Sequence, residues 1–221
     1  SNGSGSGDAW TISLFIKPTN SNNGRVVFYY GSNDTANGGY VELRLTNANK
    51  LRLNYGINNN HIRLQTASAL TDNVWQQVVI TYDGGTTGAG SGSLSSYYGR
   101  FEIFVDSVSQ TTSNSHSNYG YTGSISGQNL RLGKLVSGNT LKGEKIDEVA
   151  IWNSDETTNV SSIYNSGTPF DLSTLTNPPT HWWRMGDSDT YPTLTDSGSS
   201  ANCHFVMYNM TAANIVSDIP T

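Results

Sequence analysis

Glu144, Asp147 and Glu148 cluster in the stretch LKGEKIDEVAIWN, in a chain of 221 residues of which only 13% are charged. Clustered carboxylates can act as general acid and base or hold a cation. Retaining glycoside hydrolysis needs two carboxyl groups roughly 5 to 5.5 Å apart, facing one cleft. The residue types IDEVAIW read as a strand, and on a strand only residues of equal parity share a face. Glu144 and Glu148 then share one face and Asp147 takes the other. Four residues of extended chain separate the like-facing pair by roughly 13 Å, too far for that chemistry. The spacing predicts a structural role instead. Asp147 accepts hydrogen bonds at a sheet edge, Glu148 faces solvent or pairs with Lys145 or Arg131, and Ile146, Val149 and Ile151 bury the strand.

Two other groups of residues could carry chemistry. GSNDTANGG offers Asp34, Asn37 and backbone carbonyls as oxygen ligands for calcium, with Asp83 or Asp106 adding charge. The competing reading is that Asp, Asn and Gly simply make a turn. Tyr40, Arg44, Arg52 and Asn54 lie on the polar phase of two adjacent predicted strands, and Tyr97 and Tyr98 sit in a following loop that could close over them. A pyranose has an apolar face ringed by hydroxyls, so aromatic faces beside planar polar side chains suit it. These six residues form the expected ligand surface. His61, His116, His181 and His204 have no zinc spacing. No phosphate-cradling loop and no nucleophile elbow appear.

The elements that must position these groups are strands. Trp10, Ile12, Leu14 and Ile16 alternate with smaller or polar residues, as do Val41, Leu43 and Leu45, then Leu51, Leu53 and Tyr55, then Ile62 and Leu64. A period of two marks strands with one packed face. About ten such stretches, separated by Gly-, Asn- and Ser-rich turns, predict an all-β antiparallel sandwich. One short helix is expected in SDETTNVSSIYNSG, where Val160, Ile163 and Tyr164 have helical spacing and Gly167 would end it.

The net charge is −5 and no basic patch is visible, which argues against nucleic acid as partner. No apolar run reaches the roughly 18 residues of a membrane helix. Cys203 is alone, so no internal disulfide forms. SNGSGSG, residues 1–7, reads as a linker or the cut end of a longer protein.

Several segments together resemble the laminin G-like branch of the concanavalin A-like lectin/glucanase superfamily. They are DAWTISLFIKP, NVWQQVVITYDGG, GRFEIFVDSVSQ, LRLGKL and LKGEKIDEVAIWN, followed by the helix ending IYNSG. The resemblance implies a jelly-roll β-sandwich over residues 8–170 and recognition of carbohydrate or protein, often with calcium. The segment from His181 to Thr211 resembles the part that normally opens such a domain, yet here it comes last. Residues 171–221 are therefore expected to pack on the same sandwich or on a neighbouring chain. The order of closing strand, helix, WWRMGD and SDIP is also similar to predicted virion proteins of marine tailed phages. The expected function is a non-catalytic recognition, adhesion or decoration module of an extracellular or virion assembly, binding glycan or neighbouring subunits and repeated on a multimer. The alternatives are a structural subunit that exchanges its C-terminal strand and, more remotely, a glycoside hydrolase.

Overall fold

The alternating stretches pair into two six-stranded antiparallel sheets stacked face to face. The computed structural model describes residues 8–19, 24–31, 39–57, 60–85, 97–117, 129–134, 141, 143–187 and 189–221. The first sheet has the order β12-β11-β1-β6-β7-β8, with β1 at Trp10–Lys17, β6 at Gln76–Tyr82, β7 at Phe101–Val105, β8 at Val108–Ser109, β11 at Lys145–Trp152 and β12 at His181–Trp183. The second has the order β10-β2-β3-β4-β5-β9, with β2 at Arg25–Gly31, β3 at Gly39–Leu45, β4 at Lys50–Ile57, β5 at Asn60–Ala69, β9 at Thr112–Ser117 and β10 at Asn129–Leu132. β13 (Thr193–Leu194) and β14 (Phe205–Val206) form a separate small ribbon. The expected all-β sandwich, with one short helix, is what forms.

Between the sheets lies the main core. Trp10, Ile12, Leu14 and Ile16 of β1 belong to one buried cluster with Val41, Leu43, Leu45, Leu51, Leu53, Ile62 and Leu64 of the second sheet. Each such side chain contributes about 1.5 to 3 kcal/mol by leaving water. The first sheet is buried on its outer face as well. There Val79, Phe104, Ala150, Trp152 and Trp182 pack with Val160 and Ile163 of the helix α1 (Val160–Tyr164) and with Leu172. Two-sided burial explains why QQVVITY and EVAIW read as nearly continuous apolar runs. The helix stops earlier than Gly167: Asn165 already adopts a left-handed conformation, φ 45°, which asparagine tolerates.

β12 pairs with β11 of the same chain, Val149 opposite Trp183 and Ile151 opposite His181. Asp196 ties the segment after β12 back onto that strand. Its carboxylate meets His181 Nδ1 at 2.7 Å and accepts the backbone N–H groups of Trp182, Gly198 and Cys203. Burial works to raise the Asp196 pKa, but the imidazole and the three N–H groups outweigh it and hold the acid below the usual range.

One irregularity breaks the parity expected along β11. Between β1 and β11 the register runs Ser13 to Ala150 and then Phe15 to Asp147, so Glu148 and Val149 together oppose Leu14. This is a β-bulge, with Glu148 at φ 49°. The extra residue turns Glu148 away from the face a regular strand would give it. Val149 keeps its place in the core, while Asp147 and Glu148 become interacting neighbours.

Candidate functional site

The outer face of the second sheet gathers the polar phase of six strands into rows set by register. One row runs Arg131, Tyr29, Glu42, Asn54, Arg63 and Ser115, each opposite the next. The next row carries Gly31, Tyr40, Gly56 and His61, and another carries Arg44, Arg52 and Gln65. Tyr40, Arg44, Arg52 and Asn54, chosen from the sequence, therefore share one face, as the pairing of β3 with β4 requires.

Hydrogen bonds lock this face. Arg63 Nε donates to Asn54 Oδ1 at 3.0 Å, and Asn54 Nδ2 donates to Glu42 Oε2 at 2.6 Å. Glu42 and Asn54 are buried, so their groups are fixed rather than adaptable. Arg52 donates through Nε and Nη2 to Gln65 Oε1, at 3.0 and 2.7 Å. Arg44 Nε lies 3.3 Å from Glu42 Oε1, yet it is buried and finds no hydrogen-bond partner among the described residues. Tyr40 stacks on Tyr29 at 5.9 Å and 15°. Burial, reinforced by Glu42, pushes the Tyr40 phenol up to about 12, so it stays a neutral hydroxyl. Gly31 is required beside it: with φ at 149°, a Cβ there would come within 2.6 Å of Tyr40 Cα.

The cationic end of the face opens into a groove of about 540 Å³ along the β3–β4 hairpin, lined in part by Arg44, Lys50, Arg52 and Gln65. The outer face of this sheet holds Arg44, Lys50, Arg52, Arg63 and Arg131, five of the chain's twelve Lys and Arg, against Glu42 alone of the acids on its strands; Arg25, on the same sheet, is buried against Glu144 instead. This corrects the expectation of no basic patch: the residues form no run in the sequence, but strand pairing assembles them on one face. Burial first, and then the nearby guanidinium groups of Arg63 and Arg44, lower the Arg52 pKa.

Tyr97 and Tyr98 do not close over this face. Tyr97 is buried in the core beside Phe101, Tyr55 and Tyr82, with ring centroids 5.7 to 6.5 Å away. Tyr98 is half-buried and packs against the same core. The aromatic rings of Tyr55, Tyr82 and Phe101 offer them more apolar contact than a solvated loop would. Asp34 and Asn37 lie outside the described residues. Among the described residues, no three His, Cys, Asp or Glu side chains are grouped to hold a metal ion.

The acidic stretch separates into two sites. Glu144 is fully buried and pairs with the equally buried Arg25 at 2.6 Å, with Thr19 Oγ1 donating to the same oxygen. Glu148 accepts the Trp182 indole N–H at 2.6 Å on one oxygen and faces Arg184 at 3.4 Å on the other. Asp147 accepts the Glu148 backbone N–H at 2.8 Å. Burial, then the neighbouring Glu148 carboxylate, raises Asp147 to about 7, and burial also raises Glu148. Glu148 thus takes neither expected partner, Lys145 or Arg131, but Trp182 and Arg184.

A second, apolar cavity of about 230 Å³ opens between the sheets, lined by Trp10, Phe28, Tyr30 and Ile151, with His181 and Cys203 also on its wall. Burial and then Asp196 raise the Cys203 thiol, the opposite of an activated nucleophile. Neither cavity is lined by Glu144, Asp147 or Glu148.

Residues 1–163 match the Laminin_G_3 family, described as the concanavalin A-like lectin/glucanases superfamily. No curated protein matches the chain. Similar solved structures include the heptameric SAP-like pentraxin of Limulus polyphemus, at 18% identity and a TM-score of 0.47, covering 71% of this chain and 70% of that one. The CBM40 of the Ruminococcus gnavus IT-sialidase is 15% identical with a TM-score of 0.49, covering 72% and 84%. Domains LG4-5 of the mouse laminin alpha1 chain are 12% identical with a TM-score of 0.45, covering 67% and 36%.

Proposed function

Because the chain belongs to the concanavalin A-like lectin/glucanases superfamily, we propose that it is a non-catalytic recognition module that holds a saccharide on the outer face of its second sheet. The observation that carries this reading is the locked row Glu42–Asn54–Arg63. It places fixed donors and acceptors beside the stacked Tyr40 and Tyr29 on a sheet face directed away from the core. Planar polar groups next to an aromatic ring match the alternating hydroxyls and C–H face of a pyranose. The first sheet offers no comparable surface, since α1 and Leu172 pack on its outer side.

The absence of catalysis is part of the proposal. Both Glu148 oxygens have partners, Glu144 is held in a buried ion pair, and neither residue reaches a cavity. A hydrolase would need two carboxyl groups facing one substrate cleft. Residues 8–170 make up the jelly roll in this reading, and residues 171–221 complete the same unit through β12. The setting we propose is an extracellular or virion-surface assembly in which many copies act together, since a shallow groove binds weakly and repetition raises avidity. Calcium at Asp34 and Asn37 belongs to the proposal as well. A structural role within that assembly is favoured by one observation: Tyr191, Val206, Tyr208, Met210, Val216 and Ile219 are exposed apolar side chains concentrated in the C-terminal segment.

The test is a glycan array probed with the wild-type chain, with and without a chelator, and with Tyr40→Ala and Asn54→Ala. Binding reduced roughly tenfold or more in both variants is expected, the size of losing one aromatic contact or one charge-linked hydrogen-bond network. Binding unchanged in both variants, or no binding to any glycan by the wild type, removes the reading. Loss of wild-type binding on chelation supports the calcium component.

A further inference from the structure

We infer that the groove beside the β3–β4 hairpin takes an acidic saccharide, a sugar unit bearing a carboxylate or sulfate group, gripped by Arg44, Lys50 and Arg52. This rests on the recognition reading above and adds the chemical class of its ligand. Three cations line one groove of about 540 Å³. The whole molecule is acidic, at −5, yet the outer face of this sheet carries Arg44, Lys50, Arg52, Arg63 and Arg131 against the single acid of its strands, Glu42. That acid, Glu42, is shared: it accepts Asn54 Nδ2 and sits 3.3 Å from Arg44 Nε. It cannot neutralise Arg44, Arg52 and Arg63 together. Arg52 donates only to the neutral amide oxygen of Gln65, and Arg44 Nε is buried without a hydrogen bond among the described residues. A face with this excess of positive charge has an unmet demand for an anion.

The surroundings select a saccharide over other anions. Asn54 and Gln65 supply neutral amides, Ser113 and Ser115 lie at the strand edge, Tyr29 stands one row from the groove and Tyr40 two rows. These groups suit hydroxyls spread around a single charge. A linear polyanion of uniform charge density would instead want a continuous basic track. Guanidinium groups are matched to carboxylate and sulfate oxygens by their planar, paired donors.

The experiment uses two matched pairs of small sugars that differ by a single charge: glucose 6-sulfate against glucose, and galacturonic acid against its methyl ester. Affinity of the whole chain is measured by calorimetry at low and high salt. At least one acidic member is expected to bind roughly tenfold or more tightly than its neutral partner, as one to two charge-assisted hydrogen bonds dictate. That preference should shrink as salt rises, and whichever pair shows it names the anionic group. Arg44→Gln combined with Arg52→Gln should abolish the preference, bringing the acidic member down to the affinity of its neutral partner. Lys50→Gln, at the groove rim, should reduce it several-fold, and its melting curve checks that the fold survives. Equal binding of acidic and neutral members overturns this inference alone. Binding to neither overturns it together with the recognition reading. Equally tight binding of duplex DNA or polyglutamate also overturns it, because the face would then be a general polyanion patch.

Discussion

Asp147→Asn should make this protein more stable at pH 8 and leave it nearly unchanged at pH 4. Asp147 is 9% exposed, lies next to Glu148 at the bulge, and has Asp187 and Arg184 as further charged neighbours. Burial, then the Glu148 carboxylate, raises its pKa from 3.8 to about 7. The folded chain therefore holds a proton through a window, about pH 4 to 7, in which the unfolded chain has released it. Stability is greatest below that window and falls as pH rises through it, because the folded state binds more protons there. At about 1.36 kcal/mol per pKa unit, a rise of about three units corresponds to roughly 4 kcal/mol. Sharing of charge with Glu148 and Arg184 brings the expected effect to about 2 to 4 kcal/mol. Asparagine keeps an acceptor for the Glu148 N–H, which Asp147 Oδ1 binds at 2.8 Å, and never ionises.

The assay is urea unfolding followed by tryptophan fluorescence, at half-unit steps from pH 4.5 to 8.5. With an m value of about 3 kcal/mol/M, the variant's midpoint at pH 8 should lie about 1 M above wild type. The gap should close as pH falls toward 4.5. A wild-type stability that climbs from pH 5 to 8, or a variant no more stable than wild type at pH 8, would refute the reasoning. Either result would mean that Asp147 is ionised in the fold at little cost.

Arg25→Met should cost about 3 to 5 kcal/mol in the same urea assay, since it leaves the fully buried Glu144 without its 2.6 Å partner. Arg25→Met with Glu144→Leu should recover most of that loss, and a double variant as unstable as the single one would show the pair is not the cause. Asp218 receives Lys17, Lys145 and the Trp75 indole, and these hydrogen bonds, that of Lys145 foremost, hold its carboxyl well below the usual range. Asp218→Asn should therefore speed amide exchange in residues 215–221 and change Trp75 emission while the global melting midpoint stays within a few degrees. Unchanged exchange there would mean that the terminus is held by something other than this carboxylate.

The sandwich was legible because half-buried strands impose a period of two on the residue types. The alternations Ile12, Leu14, Ile16 and Val41, Leu43, Leu45 mark the faces that meet in the core. The same rule put Arg44 and Arg52 on one face, the one proposed to hold the ligand, for they sit on the polar phase of neighbouring strands. It could have found more: His61, Arg63 and Gln65 share the polar phase of β5, and Glu42 that of β3. What one strand could not reveal is the register that lines Arg131 up with Tyr29 and Glu42 with Asn54. A basic surface made one residue per strand leaves no basic run in the sequence. Tyr97 was misplaced for a related reason. The small-residue composition around it suggested a solvated loop, while its own ring follows the aromatic cluster at the sheet end.

The bulge at Glu148 sets the limit of such reading. Parity holds only while the ladder is regular, and a non-glycine residue at φ 49° gives no advance sign of a break. The cost of that conformation, of order 1 kcal/mol or more, is met by contacts from a part of the chain more than thirty residues away: Trp182 donates to Glu148, and Arg184 lies over the Trp182 ring at 5.0 Å. The same β12 segment that steadies the bulge also joins the cluster that α1 seals over the first sheet. The C-terminal strand thus has two coupled effects. It fixes Glu148 of β11 in place with both oxygens engaged, and it helps close one outer face of the sandwich. The other sheet keeps its polar outer face, and it is there that Glu42, Asn54 and Arg63 form the locked row.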